Sequence, residues 1–347
     1  MLGVLDATSA SARQAVFPGR NGGILLAMKC KAGGGGNSGS CGYRYVMMNA
    51  DGSSLRVLRP STSYGARWSP DGRRILVATG ELSSLPATIN VMKPAGGPVT
   101  SVWGRQRGFR TNLSVGDPDW LSPRRIVFLG WKASRTGIYT MALDGTRLRK
   151  LREYRGLPVT GLRASPDGRR IAFTRFRGGR RIPTDELYVM NADGSGLRLL
   201  RSRCLLYATD WSPDSKRLLV VSKGTSEGPV PECVLDPDLE VMSVKNGAVT
   251  HLFTEKLVVT GPGQGYGGRL GEPSFSPDGT RIAFLVDRQP NGSRTTNTVM
   301  VMDSNGTGLR QVHQGETRVG KDQMAKLFAF AALAITRLPG NRFDAKG

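Results

Sequence analysis

The sequence lacks most of the side chains that catalytic metal centres and zinc-binding knuckles use. Its 347 residues include two histidines, His251 and His313, and four cysteines. No two cysteines form a C-x-x-C pair, so we expect no zinc knuckle. Two histidines are too few for a zinc or manganese centre built from a histidine cluster. We therefore expect no cofactor and no bound metal.

The few cysteines fall into two local pairs. Cys30 and Cys41 flank a glycine-rich loop between two predicted strands, and Cys204 and Cys233 flank two strands of a later segment. Two disulfides would suit an oxidising compartment, whereas four small buried thiols would carry no information about location. The spacing is compatible with both interpretations.

Long apolar runs are also missing. No stretch approaches the roughly 20 apolar residues that a membrane-spanning helix needs, so we expect no transmembrane segment. Residues 1–6 have neither the basic start nor the apolar run of a signal peptide. Residues 1–13 read as a loose lead-in, in which Ala10–Ala15 resembles the tail of a processing region.

Acidic residues are scarce relative to basic ones. There are 27 Asp and Glu against 49 Lys and Arg, which gives a net charge of +22. A field of that sign attracts nucleic acid, anionic lipid or acidic polymers. Because the basic residues are scattered rather than gathered in blocks, a solvated basic surface is favoured over a dedicated polyanion site.

The sequence is rich in one repeated unit, seen most completely in residues 163–200. That unit reads as a strand, a Ser-Pro-Asp-Gly turn, a strand, a loop, a strand, an Asp-Gly turn and a final strand. Pro presets φ, Asp bonds its own backbone and Gly accepts a positive φ, so each turn has a physical basis. Variants of the unit carry Ser-Pro at Ser69, Ser122, Ser165, Ser212 and Ser276.

The spacing of these units predicts the fold. Successive Ser-Pro positions lie about 43 to 64 residues apart, and four short strands per unit at such a period indicate a β-propeller. We predict an all-β fold, a six-bladed propeller of four-stranded antiparallel blades over residues 14–312. The tail, 313–347, is predicted to contain one helix at Lys321–Arg337, because its apolar residues share one helical stripe. We expect a monomer.

An aromatic residue precedes the first turn of most units. These residues are predicted to pack between neighbouring blades, since they alternate out of the innermost strand. The fourth unit has Arg163 and Ala164 at this place, a departure that the repeat does not explain. The aromatics are Trp68, Trp120, Trp211 and Phe275.

The antiparallel order sorts the loops onto two faces. The Ser-Pro-Asp-Gly and Asp-Gly turns are short and share one face, whereas longer, irregular loops share the other. Functional residues on a rigid scaffold usually lie on such loops. The long loops are Trp103–Pro118, Arg175–Asp185, Ser222–Asp238, Glu255–Glu272 and Asp287–Asn297.

Two segments closely resemble the TolB-like β-propeller repeats of bacteria: Trp68–Ile75, with the sequence WSPDGRRI, and Leu187–Gly196, with the sequence LYVMNADGSG. The resemblance covers roughly residues 14–312. It implies a six-bladed propeller, often periplasmic or at the cell surface, that acts in protein–protein contacts. Phe17–Gly22 is also similar to the start of exported members, where it follows the signal peptide. We therefore expect a periplasmic or extracellular protein, and otherwise a cytoplasmic one.

The sequence shows no counterpart of two domains that accompany this repeat elsewhere. TolB itself has an added N-terminal α/β domain, so the resemblance does not imply a place in the Tol–Pal system. The same repeats form the propeller of prolyl-oligopeptidase-type peptidases, whose hydrolase domain has no match here. The resemblance therefore favours a non-enzymatic binding protein.

Three motifs would point to catalysis or to a ligand if their context agreed. Gly224–Gly228 matches the G-x-S-x-G nucleophile elbow, but no helix follows Ser226. Gly263–Gly268 matches G-x-G-x-x-G, and again a strand follows instead of a helix. The carboxylates at 117–119 and 236–240 do not complete a calcium loop. We expect loops and solvated turn acids at these places, and no catalytic residue.

The best candidate for a binding site is a pair of arginine-rich loops on the long-loop face. They combine dense positive charge, an aromatic ring for stacking and flexible glycines. An acidic protein surface or another acidic polymer is the expected partner, and nucleic acid is a weaker alternative. A hydrolase or lyase with its site at the channel mouth is the competing hypothesis. The candidate residues are Arg105, Arg107, Phe109, Arg110, Arg175, Arg177, Arg180 and Arg181.

Overall fold

The computed structural model is built from β-strands and turns. The structure describes residues 24–318 and the dipeptides 328–329 and 334–335. Because these residues contain no helix, they contain none that could span a membrane. The predicted lead-in and all four cysteines lie outside them. Within 24–318 the gaps are 30–42, 50, 52, 54–55, 62–65, 80–87, 95–97, 105–112, 157–158, 178–183, 204, 224–236, 255–257, 260–264, 267–268, 272 and 289–293.

Five antiparallel sheets follow the predicted blade pattern, in which four strands pair in chain order. In the last of them the innermost position is shared by two short strands, Arg269–Leu270 and Ser274–Phe275, which both pair with Arg281–Arg288. The strands of the first three blades are β4 (Ala66–Trp68), β5 (Ile75–Thr79), β6 (Thr88–Met92), β7 (Thr100–Trp103), β8 (Ser114–Ser122), β9 (Arg125–Lys132), β10 (Arg135–Ala142), β11 (Arg149–Arg155), β12 (Val159–Ala164), β13 (Arg170–Arg177), β14 (Thr184–Asn191) and β15 (Arg198–Arg203). The remaining two contain β16 (Leu205–Trp211), β17 (Arg217–Lys223), β18 (Pro237–Ser243), β19 (Val249–Thr254), β22 (Arg269–Leu270), β23 (Ser274–Phe275), β24 (Arg281–Arg288), β25 (Arg294–Asp303) and β26 (Arg310–Arg318), and a separate pair is formed by β20 (Val258–Val259) and β21 (Gly265–Tyr266).

The prediction of six four-stranded blades is wrong: the described residues form five. The N-terminal unit contributes three strands, β1 (Ile24–Lys29), β2 (Tyr43–Met48) and β3 (Arg56–Ser61). Its sequence has no Ser-Pro-Asp-Gly turn ahead of β1, and its described residues include no innermost strand. Two dipeptides from the C-terminal tail pair with β1 instead.

The predicted C-terminal helix is also wrong where the structure describes the tail. Phe328–Ala329 (β27) pairs with Met28 and Lys29, and Ala334–Ile335 (β28) pairs with Ile24 and Leu25. An apolar run of this length fits a helix and a strand equally well. The edge of β1 offers backbone N–H and C=O groups that an extended segment can bond, so the tail adopts strands there.

The Ser-Pro-Asp-Gly turns form as predicted. In the fourth unit Ser165 Oγ donates to Asp167 Oδ1 at 2.6 Å and accepts from Arg170 N at 2.9 Å. Gly168 has a φ of 67°, and a Cβ at this position would lie 2.2 Å from the carbonyl oxygen of Leu121 in the preceding blade. The turn therefore needs glycine both for its φ and because two blades meet there.

Three of the four aromatic residues before these turns pack between blades, which confirms the prediction for Trp120, Trp211 and Phe275. Trp120 of β8 lies in one apolar cluster with Leu76 and Ile89 of the preceding blade. Trp211 packs in the same way against Leu187 of β14, and Phe275 against Leu219 of β17. Burying such large rings between sheets supplies much of the hydrophobic free energy of the propeller.

Candidate functional site

Five innermost strands place a polar residue on the propeller axis, immediately before the residue that packs between blades. These residues line a cavity of about 70 Å³ where the Ser-Pro turns converge. Around the axis their charges alternate in chain order: positive, negative, positive, negative, neutral. We call them the axial ring: Arg67, Asp119, Arg163, Asp210 and Ser274.

The two carboxylates of the axial ring join adjacent blades. Asp119 accepts from its own neighbour Trp120 N at 2.8 Å and from Ala164 N of the next blade at 2.9 Å. Asp210 accepts from Trp211 N at 2.9 Å, and its second oxygen accepts from Phe275 N at 2.9 Å and Ser274 Oγ at 2.7 Å. Each carboxylate therefore satisfies main-chain donors of two blades at once.

Arg163 performs the same function with the opposite charge. Its Nε donates to the carbonyl oxygen of Thr209 in the next blade at 2.6 Å, and its Nη1 donates to Leu162 O at 2.8 Å. The indole of Trp211 donates back to Arg163 O at 3.1 Å. This accounts for the departure at Arg163 and Ala164: the arginine links the fourth and fifth units, and the Ala164 N–H bonds Asp119.

Burial raises the pKa of both carboxylates. Loss of hydration is the largest cause, and it raises the pKa of Asp210 to about 6 from the usual 3.8. The hydrogen bonds from Ser274 and Phe275, and the charge of Arg67, oppose that rise. The pKa of Asp119 is also raised by burial, against the charges of Arg67 and Arg163. The alternating charges therefore offset part of the cost of burying the carboxylates.

The axial ring is too small and too fully bonded for a substrate site. Pockets for organic ligands measure about 300 Å³ or more, and this cavity has room for a few water molecules. Every carboxylate oxygen in it already accepts from an N–H group. The arrangement fixes the relative positions of the blades. The sequence signal for it was present, since a charged residue precedes the packing residue in four units, but we did not predict it.

His251, the histidine whose side chain the structure describes, has no catalytic arrangement. His251 Nε2 lies 2.7 Å from Thr254 Oγ1 and 3.3 Å from Asp238 Oδ1. A triad needs the acid and the nucleophile on different ring nitrogens, whereas here one nitrogen faces both. Ser226 lies outside the described residues.

The other ligand motifs give no site in the part of the chain that the structure describes. Asp117 Oδ2 accepts from Gly161 N at 3.0 Å, and Asp119 belongs to the axial ring. Within that part no three His, Cys, Asp or Glu side chains are grouped closely enough to hold a metal ion. In the G-x-G-x-x-G segment Gly265 and Tyr266 form a short strand.

Two of the predicted binding residues can be located. Arg175 lies over the ring of Tyr154, with its guanidinium carbon 5.2 Å from the centroid. Arg177 is 70% exposed, and its Nη1 donates to Glu186 Oε1 at 3.0 Å. The other candidates lie outside the described residues: Arg105, Arg107, Phe109, Arg110, Arg180 and Arg181.

The long-loop face is basic well beyond the two predicted loops. No described strand has an acidic residue at the end that lies on this face. The separate pair β20–β21 is not assigned to a face. Lys132, Arg135 and Arg155 are exposed there. The strand ends with a basic residue at this face are Lys29, Lys132, Arg135, Arg155, Arg177, Arg203, Lys223, Arg269, Arg288, Arg294 and Arg318.

The opposite face, which carries the tight turns, balances its arginines with aspartates. Asp71 Oδ2 lies 3.7 Å from Arg74 Nη2, and hydrogen bonds from Thr146 and Ser195 lower the pKa of the turn acids Asp144 and Asp193. These aspartates therefore stay ionised at neutral pH. The turn acids of the described residues are Asp51, Asp71, Asp144, Asp167, Asp193, Asp214 and Asp278.

Comparisons with known proteins agree with the fold. No family model matches the chain. It is 28% identical over 166 residues to the protein TolB homolog of Chlorobium luteolum, which covers 48% of this chain and 32% of that protein. It is similar in structure to TolB from Acinetobacter baumannii, with a TM-score of 0.59, 18% identity, and coverage of 88% of this chain and 65% of that one. A chain of the nidogen/laminin complex gives a TM-score of 0.56 and 14% identity, with coverage of 91% and 100%.

These comparisons indicate the class of fold to which the chain is similar. The sequence similarity supports homology with TolB-like β-propellers, and the two structural similarities show the shared fold. The matched segment spans about a third of the curated relative's length, and the structural match spans just under two thirds of the Acinetobacter chain.

Proposed function

We propose that this chain is a non-enzymatic binding propeller, exported and monomeric, which docks an acidic protein surface on its long-loop face. The observation that carries the proposal is the charge difference between the two faces. On the tight-turn face the turns carry aspartates among the arginines, whereas the described strands end at the long-loop face in basic residues and in no acidic ones, although Arg135 and Arg177 pair there with Glu153 and Glu186. Such a face attracts and orients an acidic partner.

The axial ring supports a non-enzymatic function. A raised pKa in a cavity would ordinarily favour the alternative, a hydrolase or lyase at the channel mouth. Here Asp210, with its pKa of about 6, holds Trp211 N and Phe275 N together, so each of its oxygens already accepts a main-chain hydrogen bond. The raised pKa follows from a structural use of the carboxylate.

The fold is compatible with protein binding. The nidogen/laminin complex is by its name an assembly of proteins, and one of its chains shares this fold. The TolB-like resemblance likewise implies protein–protein contacts and export. To this the basic charge of the long-loop face adds the proposal that the partner protein is acidic.

The proposal is tested with an acidic peptide. Fluorescein-labelled hexaglutamate is titrated with the protein at low salt, and binding is followed by fluorescence anisotropy. Changing Arg155, Arg180 and Arg181 to Glu should weaken binding by about tenfold or more, because charge reversal turns attraction into repulsion. Added salt should weaken binding by the wild type.

The matched control reverses the same number of charges on the tight-turn face. Arg73, Arg124 and Arg169 are exposed there, and their triple change to Glu should affect binding by less than about threefold. Equal losses in both triple variants would contradict the face assignment. Tighter binding of oligothymidylate than of hexaglutamate would favour the nucleic-acid alternative.

A further inference from the structure

We propose that Arg177 is the anchor of the long-loop face, held by Glu186 so that its exposed guanidinium edge receives a carboxylate of the partner. This inference rests on the proposed function and names the residue and the chemical group that make the central contact. An arrangement of residues on β13 and β14 supports this inference. Neither a gain in stability nor the repeat pattern explains that arrangement.

The first observation is a buried acid beneath an exposed base. The Glu186 side chain is 7% exposed and that of Arg177 is 70% exposed, with 3.0 Å between Oε1 and Nη1. Burying a carboxylate is costly, and an ion pair whose arginine is mostly in water returns little stability. The pair is therefore poorly placed to stabilise the blade, but it fixes the position of the arginine.

The second observation is that Glu186 is itself held in place. Tyr188 donates its hydroxyl to Glu186 Oε2 at 2.9 Å. The Tyr188 ring stacks on the buried Phe173 at 5.7 Å, with 17° between the ring planes. Phe173 is fully buried in the core. A chain of contacts therefore runs from the core to the guanidinium of Arg177, so little side-chain entropy remains to be lost when a ligand binds.

The third observation is the charge that remains. Arg175 lies across the strand pair from Glu186 and packs over Tyr154. Two arginines and one glutamate leave a net charge of +1 at the base of the arginine-rich loop. The guanidinium is a planar fork that binds a carboxylate through two parallel hydrogen bonds. One of its nitrogens is used by Glu186, and the exposed part of the group remains for an Asp, a Glu or a C-terminal carboxylate of the partner.

The variant Glu186→Gln separates anchoring from simple attraction. It removes one negative charge from the face, so attraction alone predicts tighter binding of fluorescein-labelled hexaglutamate. Anchoring predicts the opposite, about two- to fivefold weaker binding, because Gln cannot hold the guanidinium as an ion pair. Tyr188→Phe, which leaves the charge unchanged, should also weaken binding, by a smaller factor. Far-ultraviolet circular dichroism and the unfolding midpoint verify that each variant is folded.

Single reversals complete the test. Arg177→Glu should weaken hexaglutamate binding about tenfold or more, and Arg177→Lys should recover only part of the affinity, since an ammonium lacks the planar fork. Arg155→Glu, the same change at an exposed arginine on the same face, should cost about threefold or less. Tighter binding by Glu186→Gln, or equal losses at 155 and 177, would overturn the anchor. If the triple variant at 155, 180 and 181 still lost affinity, the proposed function would stand without it.

Discussion

The two faces of the propeller use arginine for different purposes. On the tight-turn face, arginines contact the neighbouring blade: Arg74 lies over Trp120 and donates to Pro123 O, and Arg170 lies over Trp211 and donates to Ser215 O. On the long-loop face, basic residues end the strands, and Lys132, Arg135, Arg155 and Arg177 are exposed there. The same residue type therefore stabilises the ring at one end and charges a surface at the other. The net charge of the sequence cannot distinguish these uses.

The comparison predicts that backbone changes are far more damaging on the tight-turn face. Gly168→Ala should lower the free energy of unfolding by about 3–5 kcal/mol, since a Cβ would lie 2.2 Å from Leu121 O at a φ of 67°. Gly156→Ala, on the long-loop face, has a similar φ of 80° and no atom within 4 Å of its Cβ, so it should cost about 1 kcal/mol. Urea denaturation of both variants measures the difference.

The two glycines are a matched pair because both have a positive φ. The conformational cost is therefore common to the two changes, and the excess at 168 reports the contact between blades. Equal losses would mean that the tight-turn face is no more constrained than the other, and the contrast between the faces would fail.

Local features of this fold were predictable from the sequence, and features made by ring closure were not. The Ser-Pro-Asp-Gly turn was predicted because its bonds join residues two to five positions apart, such as Ser165, Asp167 and Arg170. Trp211 was correctly predicted between blades because strand alternation orients it. Arg67 and Asp210 come together only when separate blades surround one axis, so the axial ring was missed.

The errors at the two termini have a related cause. The sequence predicts a complete blade for the N-terminal unit from three strands and a degraded turn, whereas the described residues of that unit include no innermost strand. The tail was predicted as a helix because its periodicity was read without the edge of β1, with which Ala334 and Ile335 pair. In both cases the deciding partner lies about 300 residues away in the sequence. The predicted binding site stays a prediction, and the structure describes the contacts of Arg175 and Arg177 among its residues.

A smaller effect tests whether arginine on the tight-turn face is structural. Arg170→Met keeps the apolar stem but removes the hydrogen bond to Ser215 O at 2.6 Å and the contact with the Trp211 ring. We expect a loss of about 1–2 kcal/mol in the free energy of unfolding. Arg169→Met, at the exposed neighbouring position, should change stability by less than about 0.5 kcal/mol. A loss at 169 as large as that at 170 would show that charge, rather than the contact between blades, is responsible.

The dependence of stability on pH distinguishes the axial ring from the surface acids. Asp210 has a pKa of about 6 in the folded protein and about 3.8 when unfolded. The folded state therefore holds the proton more tightly, and the stability that Asp210 contributes is greatest below pH 4 and is lost as the pH rises through 6. The turn acids Asp144 and Asp193, whose pKa values are lowered, give the opposite slope. The groups that face Asp210 in the cavity are Arg67, Asp119 and Arg163, and Asp119 shifts in the same direction.

Comparing wild type with Asp210→Asn cancels the contribution of the turn acids, which are present in both. The stability advantage of the wild type should be largest near pH 4 and should shrink steadily between pH 4 and pH 7. Urea denaturation at a series of pH values measures this difference. An advantage that grew with pH would mean that the Asp210 carboxylate is stabilised in its charged form. The tight-turn end of the axis would then be an electrostatically favourable centre, and burial would not be the dominant influence on its acids.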